Sequence, residues 1–546
     1  MLKLNKLFNL KKTPQWEAIP GSGQVMNDAG GYAWALDAWG QLDRFLVLGS
    51  EGGTYYATEK ALTVEQATNV VALLQADGPR VVECAREISE AGRAYQNDPA
   101  LFALALAFSV GNEATRAAAS AALPKVARTG THLFTFLKYV DGMRGWGRGL
   151  RRAVAGWYTA LPLETLAYQV TKYGQRDGWS HRDALRLAHP KATDSGRNAL
   201  FAWLAGKAAL PEGAETAPWA YLRAVQRVAD PALPASELCE LIRTHRLPRE
   251  IIPTERLQEA AVWEALLEEM PMTALIRNLA TLTRVGVIAP LSDWTKTVCA
   301  RLGNREWLRK ARVHPVQALA ALKTYASGRG VRGQNTWGPV QQVVDALDDA
   351  FYLTFDNVEP TGKRILLAVD VSGSMGGGCI GGVPGLTPRE GAAALALVTA
   401  AVEEHHTIVG FTNGKYPSQW QGYGSGLTPL DISPRQRLDE VVRYTAGLTF
   451  GGTDCALPMV WALEQRIPID AFVVLTDSET WAGNAHPAQA LVEYRRKMGI
   501  PAKLIVVGMT SNGFTIGDLT DRGTLNVVGF SPDVPNVMND FIRGTV

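Results

Sequence analysis

The sequence is poor in cysteine. Its five thiols (Cys84, Cys239, Cys299, Cys379 and Cys455) are odd in number, widely scattered and never set in a CxxC pair. That argues against a disulfide framework or a thiolate zinc site, and for reduced thiols in a cytoplasmic protein. Long apolar runs are also missing: all are interrupted well before the roughly 18 residues that suggest a membrane-crossing helix. The opening "MLKLNKLFNLKK" has lysines inside its apolar stretch and no small-residue cleavage site, so it reads as a surface helix or tail rather than a secretory signal. Charge of one sign is lacking too, with 55 basic against 53 acidic side chains. The glycine-rich "GRGVRG" (328–333) is no P-loop, because it lacks a GK[ST] ending and a preceding strand.

What is present is unevenly placed. At 546 residues the chain exceeds what one core usually serves, so two or more domains are expected. Residues 101–200 hold 14 basic and 6 acidic side chains, and residues 301–340 hold 8 and 1. Two basic blocks in a nearly neutral protein point to a confined anionic partner.

From about residue 60 to 355 the apolar spacing is helical. It is clear in 64–76, 101–110, 197–210 and 255–270, with breakers between, such as Asp77-Gly78-Pro79. Many helices of this length on short links suit stacked antiparallel pairs, a HEAT-like array. Segment 20–58 has short β-type runs and paired glycines, expected as a small strand pair capping that array. Near 358–362 the texture changes. Strand-like runs "RILLAVD" (364–370), "TIVGF" (407–411), "AFVVLTD" (471–477), "AKLIVVGM" (502–509) and "LNVVGF" (525–530) now alternate with helical ones. That is the pattern of a doubly wound α/β domain with a mostly parallel sheet.

In such a sheet, ligands bind beyond the carboxyl ends of the strands. There "DVSGSM" supplies Asp370, Ser372 and Ser374, "FGGTDC" supplies Thr453 and Asp454, and "AFVVLTD" ends on Asp477. Hydroxyls and carboxylates make a hard-oxygen shell suited to Mg²⁺ or Mn²⁺ rather than zinc. The set resembles the metal-ion-dependent adhesion site (MIDAS) of von Willebrand factor A domains. That resemblance implies Asp370, Ser372, Ser374, Thr453 and Asp477 as ligands.

The first basic block interleaves Arg144, Arg148, Arg151, Arg152, Lys172, Arg176, Arg182, Arg186, Lys191 and Arg197 with Trp146, Trp157, Tyr168, Tyr173 and Trp179. Basic side chains neutralise phosphates, and exposed aromatics stack on unpaired bases. Trp157 and Tyr168 are expected in the core. Ser180 reads as an N-cap boxed by Asp183, which leaves His181 and Arg182 at a helix N-terminus where a phosphate would be favoured. The second block offers Arg309, Lys310, Arg312, Arg329 and Arg332 near a glycine-rich loop. Neither block shows a nucleophile–base pair or a carboxylate dyad, so no enzyme is expected.

Longer stretches carry a wider resemblance. "AGGYAWALDAWGQLDRFLVLGSEGGTYYA" (29–57), "KYGQRDGWSHRDALRLAHPK" (172–191), "RVHPVQALAALKTYASGRGVRG" (312–333) and "VEPTGKRILLAVDVSGSM" (358–375) resemble the Ro autoantigen (TROVE) family, in order along nearly the whole chain. The resemblance implies a tail (1–20), a monomeric ring of HEAT-like repeats (21–359) and a closing von Willebrand A domain (360–546). It implies Y-type noncoding RNA on the outer surface, with His181 among its contacts. It also implies single-stranded 3′ ends of misfolded or structured RNA at a central hole, and work alongside a 3′ exoribonuclease such as polynucleotide phosphorylase in RNA quality control. Glu164 and Tyr168 stand where relatives are more basic. The competing reading is a metal-dependent protein-binding scaffold, with the basic patches incidental.

Overall fold

The computed structural model describes residues 62–90, 96–213, 217–330, 335–377, 380, 385–412, 426–448, 453–476, 485–509, 516–518, 521–528 and 533–544. Before residue 62 it describes 25–26, 32–33, 38–39, 42, 45–46, 49 and 54–56. The chain forms two compact units. One comprises Ala61–Thr295 with Ala38–Glu51, the other Lys296–Val546 with Met1–Asp37 and Gly52–Lys60.

The first unit is helical. Helix Asp98–Val110 is apolar on every side and buries Pro99 through Phe108, as a helix enclosed by neighbours must. Around it the packing skips one helix at a time. Thr68–Glu90 packs on Glu113–Val126, Asp98–Val110 on Gly130–Met143, and Glu113–Val126 on Arg148–Ala160. This layering of antiparallel pairs is the architecture expected of helical repeats. The Asp77-Gly78-Pro79 breaker divides Thr68–Glu90 into two helices at a kink, where Asp77 is non-helical (φ −149°, ψ 68°). Gly78 is required there, since a Cβ would lie 2.1 Å from Thr115 Oγ1.

The second unit holds a seven-stranded sheet. With short strands β1 (Val25–Met26) and β2 (Tyr32–Ala33) forming an antiparallel pair, and β4 (Gln175–Arg176) and β5 (Trp179–Ser180) a hairpin in the first unit, the sheet takes the remaining strands. They are β3 (Thr54–Tyr56), β6 (Ile365–Asp370), β7 (His406–Phe411), β8 (Leu427–Pro429), β9 (Ala471–Thr476), β10 (Lys503–Gly508) and β11 (Thr524–Val528). Their order is β3-β11-β10-β9-β6-β7-β8, parallel except for β8. Strands β6 and β9 are buried at every position, which fits central strands covered by helices on both faces. From β6 the sheet grows one way through β7 and the other way through β9, so the topological switch falls at the carboxyl ends of β6 and β9.

One expectation needs correction. Part of segment 20–58 does not cap the helical array, because β3 extends the sheet edge by pairing parallel to β11. By packing, the helices from Lys296 onward group with the α/β unit, ahead of the change in texture at 358–362. Helices Pro315–Ala326 and Gln341–Leu353 join the α/β unit through Lys323 to Glu390 (2.5 Å), the Arg437–Asp348 ion pair, and the Leu438 N–H donating to Tyr352 Oη (2.9 Å). The α/β pattern begins where the sequence says. Packing recruits the helices before it.

Candidate nucleic-acid interface and metal centre

The hairpin β4–β5 turns through Asp177 (φ 54°) and Gly178 (φ 83°), the two left-handed positions of a type I′ turn. The Asp-Gly pair between Arg176 and Trp179 was the available signal, and reading the segment for charge alone misses it. Asp177 ties the turn to helix Gly130–Met143, accepting from Thr135 Oγ1 (3.3 Å) and pairing with Lys138 (3.5 Å). Trp179 packs against Trp146 with ring centroids 5.7 Å apart. The helix His181–Ala188 that follows is capped as expected: Ser180 Oγ accepts from Asp183 N–H (3.3 Å), and the Asp183 carboxylate accepts from Ser180 N–H (3.2 Å).

His181 is not where the motif suggested. It is 2% exposed, its Nδ1 lies 2.7 Å from Tyr158 Oη, and its ring packs on Phe134 and Trp157. Gly130 closes the other edge: a Cβ there would stand 3.1 Å from His181 Nε2 and 2.9 Å from Tyr173 Cβ. Burial lowers the imidazole pKa to about 3, against the opposing pull of the Tyr173 and Gln169 carbonyls. A neutral, enclosed ring offers a phosphate neither charge nor access, so any part of His181 in RNA binding would run through the position of the hairpin. What His181 does is wedge the hairpin and its helix against Phe134, Trp157 and Tyr158.

This burial carries a pH prediction. His181 and His314, the latter lowered by burial to about 4, ionise in the unfolded chain near the ordinary 6.5. Between those values the unfolded state binds more protons, so stability is full above about pH 6.5 and falls as pH drops. At pH 5 each should remove about 2 kcal/mol relative to pH 7. Thermal unfolding midpoints recorded from pH 7 to 5 should fall, and His181→Gln should flatten that dependence; parallel curves would refute it.

The other basic residues separate by surroundings. Arg176, Arg182, Arg186, Lys191 and Arg148 are exposed. Arg182, Arg186, Lys191 and Arg148 pair with no carboxylate among the described residues, and Arg176 lies 3.9 Å from Asp177. Half-buried Lys172 bonds Tyr168 Oη (3.1 Å), and Tyr168 is 36% exposed rather than in the core. Arg144 donates to the Phe108 carbonyl (2.5 Å). Arg197 is structural: buried, it donates to the carbonyls of Tyr158 (3.1 Å) and Leu161 (2.9 Å) at the end of helix Arg148–Ala160. Arg309, Lys310, Arg312 and Arg329 lie in the other compact unit. Arg332 lies outside the described residues.

At the carboxyl end of β6, Asp370 is 1% exposed. Its Oδ1 accepts from Ser372 N–H (2.8 Å) and its Oδ2 from Thr476 Oγ1 (2.9 Å), at the end of neighbouring β9. The hydroxyls of Ser372 and Ser374 are 3.0 Å apart. Thr453 is buried, and Asp477, one residue beyond β9, lies outside the described residues. The side-chain donors named here are all oxygen, the ligand type that small hard cations take.

The TROVE domain model matches residues 25–215 and 244–324, and the Ro60 vWA domain model matches 364–542. The chain is 43% identical to the RNA-binding protein RO60 of Deinococcus radiodurans over the full length of both. It is 34% identical to that of Caenorhabditis elegans, over 98% of this chain and 93% of the relative. The crystal structure of the Deinococcus radiodurans RO (RSR) protein superposes with a TM-score of 0.83, covering 93% of this chain and 100% of that one.

Proposed function

Because the chain belongs to the Ro60 (TROVE) family, we propose that it is an RNA-binding protein, not itself catalytic, whose structured ligand is a Y-type noncoding RNA. The RNA docks on the cationic surface around hairpin β4–β5, through Lys172, Arg176, Arg182, Arg186 and Lys191. Single-stranded 3′ ends of misfolded or structured RNA form a second ligand class. The protein then acts in the cytoplasm beside a 3′ exoribonuclease, such as polynucleotide phosphorylase, in RNA quality control. The observation that carries this reading is the set of exposed, carboxylate-free cations Arg182, Arg186 and Lys191, on and just beyond a helix that a buried His181 holds rigid.

The binding is then mainly electrostatic, and each neutralised phosphate contributes about −0.9 to the slope of log K against log salt. Filter-binding titrations of a Y-type RNA across a salt series should give a slope steeper than about −3 for four or more neutralised phosphates. A flat response would reject the electrostatic docking surface.

The same reading includes a divalent cation, Mg²⁺ or Mn²⁺, held by Asp370, Ser372, Ser374, Thr453 and Asp477. Support comes from the buried Asp370 carboxylate beside two converging serine hydroxyls. When bound, the ion would offer a Lewis-acidic docking point for an external carboxylate or phosphate.

A further inference from the structure

Between helices Glu113–Val126 and Arg148–Ala160 lies a recess of about 570 Å³, lined by Arg116, Arg144, Arg148 and Arg152 with Glu113 as its acid. The volume falls within the range of about 300–1,000 Å³ usual for small-ligand sites. Four guanidinium groups facing one carboxylate concentrate positive potential in a concave, low-dielectric wall. Arg116, Arg148 and Arg152 make no ion pair among the described residues. The Arg116 Nε–H is buried without a hydrogen-bond partner, a state that costs stability and that an anion in the recess would relieve.

The backbone adds to this. Helix Arg148–Ala160 starts at the recess with Gly147 as N-cap, which has no side-chain oxygen to offer, and no acidic residue occupies its first turn. Its leading amides therefore lack the partners that capping supplies elsewhere, and the positive end of the helix dipole faces the arginines. A Cβ on Gly149 would meet nothing within 4 Å, so a ligand can approach that turn. Arg144 is fixed in advance by its bond to the Phe108 carbonyl. Two residues on, Trp146 packs against Trp179 of the hairpin, so the segment that walls the recess also touches the candidate interface.

We propose that this recess is a phosphate-binding site that takes a backbone phosphate of the RNA bound at the hairpin surface. The inference rests on the RNA-binding reading and gives it a second, preformed anchor. Guanidinium forks suit phosphate oxygens through paired hydrogen bonds, which explains arginine rather than lysine at all four positions.

The test compares the full-length protein with Arg148→Gln/Arg152→Gln and with Arg148→Lys/Arg152→Lys. Both positions are exposed, so both variants should keep the wild-type melting temperature. Binding of a labelled Y-type RNA is followed by fluorescence anisotropy over a salt series, and binding of pyrophosphate alone by calorimetry. For each phosphate no longer neutralised, the glutamine variant should bind the RNA about fivefold more weakly at about 0.15 M salt, with the slope shallower by about 0.9. The lysine variant should keep most of the slope and bind with an affinity between the other two. A glutamine variant that matches wild type in both affinity and slope overturns the proposal. Pyrophosphate binding that vanishes in the variant while RNA affinity stays unchanged assigns the recess to a free anion and overturns the RNA assignment. Wild-type protein that binds no RNA would mark failure of the underlying reading instead.

Discussion

Replacing Arg176, Arg182, Arg186 and Lys191 together by glutamine is expected to weaken Y-type RNA binding by about a hundred- to a thousandfold near physiological salt. The magnitude follows from counterion release: one neutralised phosphate is worth about fivefold at about 0.15 M salt, and four such factors multiply. The side chains are exposed, and apart from Arg176 beside Asp177 they engage no carboxylate among the described residues, so their removal should leave the melting temperature within about 1 °C of wild type. A gel-shift titration at two salt concentrations checks both parts, because the affinity gap should close as salt rises. An equal gap at high salt would mean that base readout, not phosphate neutralisation, dominates here.

Asp370→Ala should abolish divalent-ion binding and destabilise the α/β unit even in the absence of metal. The buried carboxylate accepts from Ser372 N–H and Thr476 Oγ1, and its removal leaves both donors unsatisfied at about 1–3 kcal/mol each. In wild type, Mg²⁺ at about a hundred times its Kd should add about 2.7 kcal/mol, read as a rise in melting temperature; the variant should show none. Asp370→Asn separates the two effects, since it keeps an acceptor while losing the charge. RNA affinity should not change in either variant, because the cationic hairpin surface belongs to the other compact unit. An Asp370→Ala protein that still shows the Mg²⁺ shift would refute the site.

The sheet strands were legible almost residue by residue. Parallel strands buried on both faces are continuous apolar runs, and "ILLAVD" and "AFVVLT" allow no other placement in an alternating pattern. Strand β8 was not legible, because three residues ending in a proline carry too little pattern. The capping box at Ser180–Asp183 was legible because it is made within four residues. His181 was legible as a position of interest, but its burial was not. A helix N-terminus fixes the backbone at residue 181, but whether the ring turns out to solvent or in toward Tyr158 depends on helices far along the chain. The structural role of Arg197 was not legible for the same reason: its guanidinium serves carbonyls 36 and 39 residues away.

The sequence by itself determined the kinds of element, the change from helical to α/β texture, and the oxygen donors that follow β6. Each of these depends on neighbours in the chain, through local periodicity, capping and strand ends. Only the tertiary structure decided that β3 joins the sheet edge, that the helices after Lys296 pack with the α/β unit, and that His181 is a buried wedge. It alone gathered Arg116, Arg144, Arg148 and Arg152 around one recess. Those outcomes turn on which surfaces exclude water together, and long-range burial leaves no mark in local spacing.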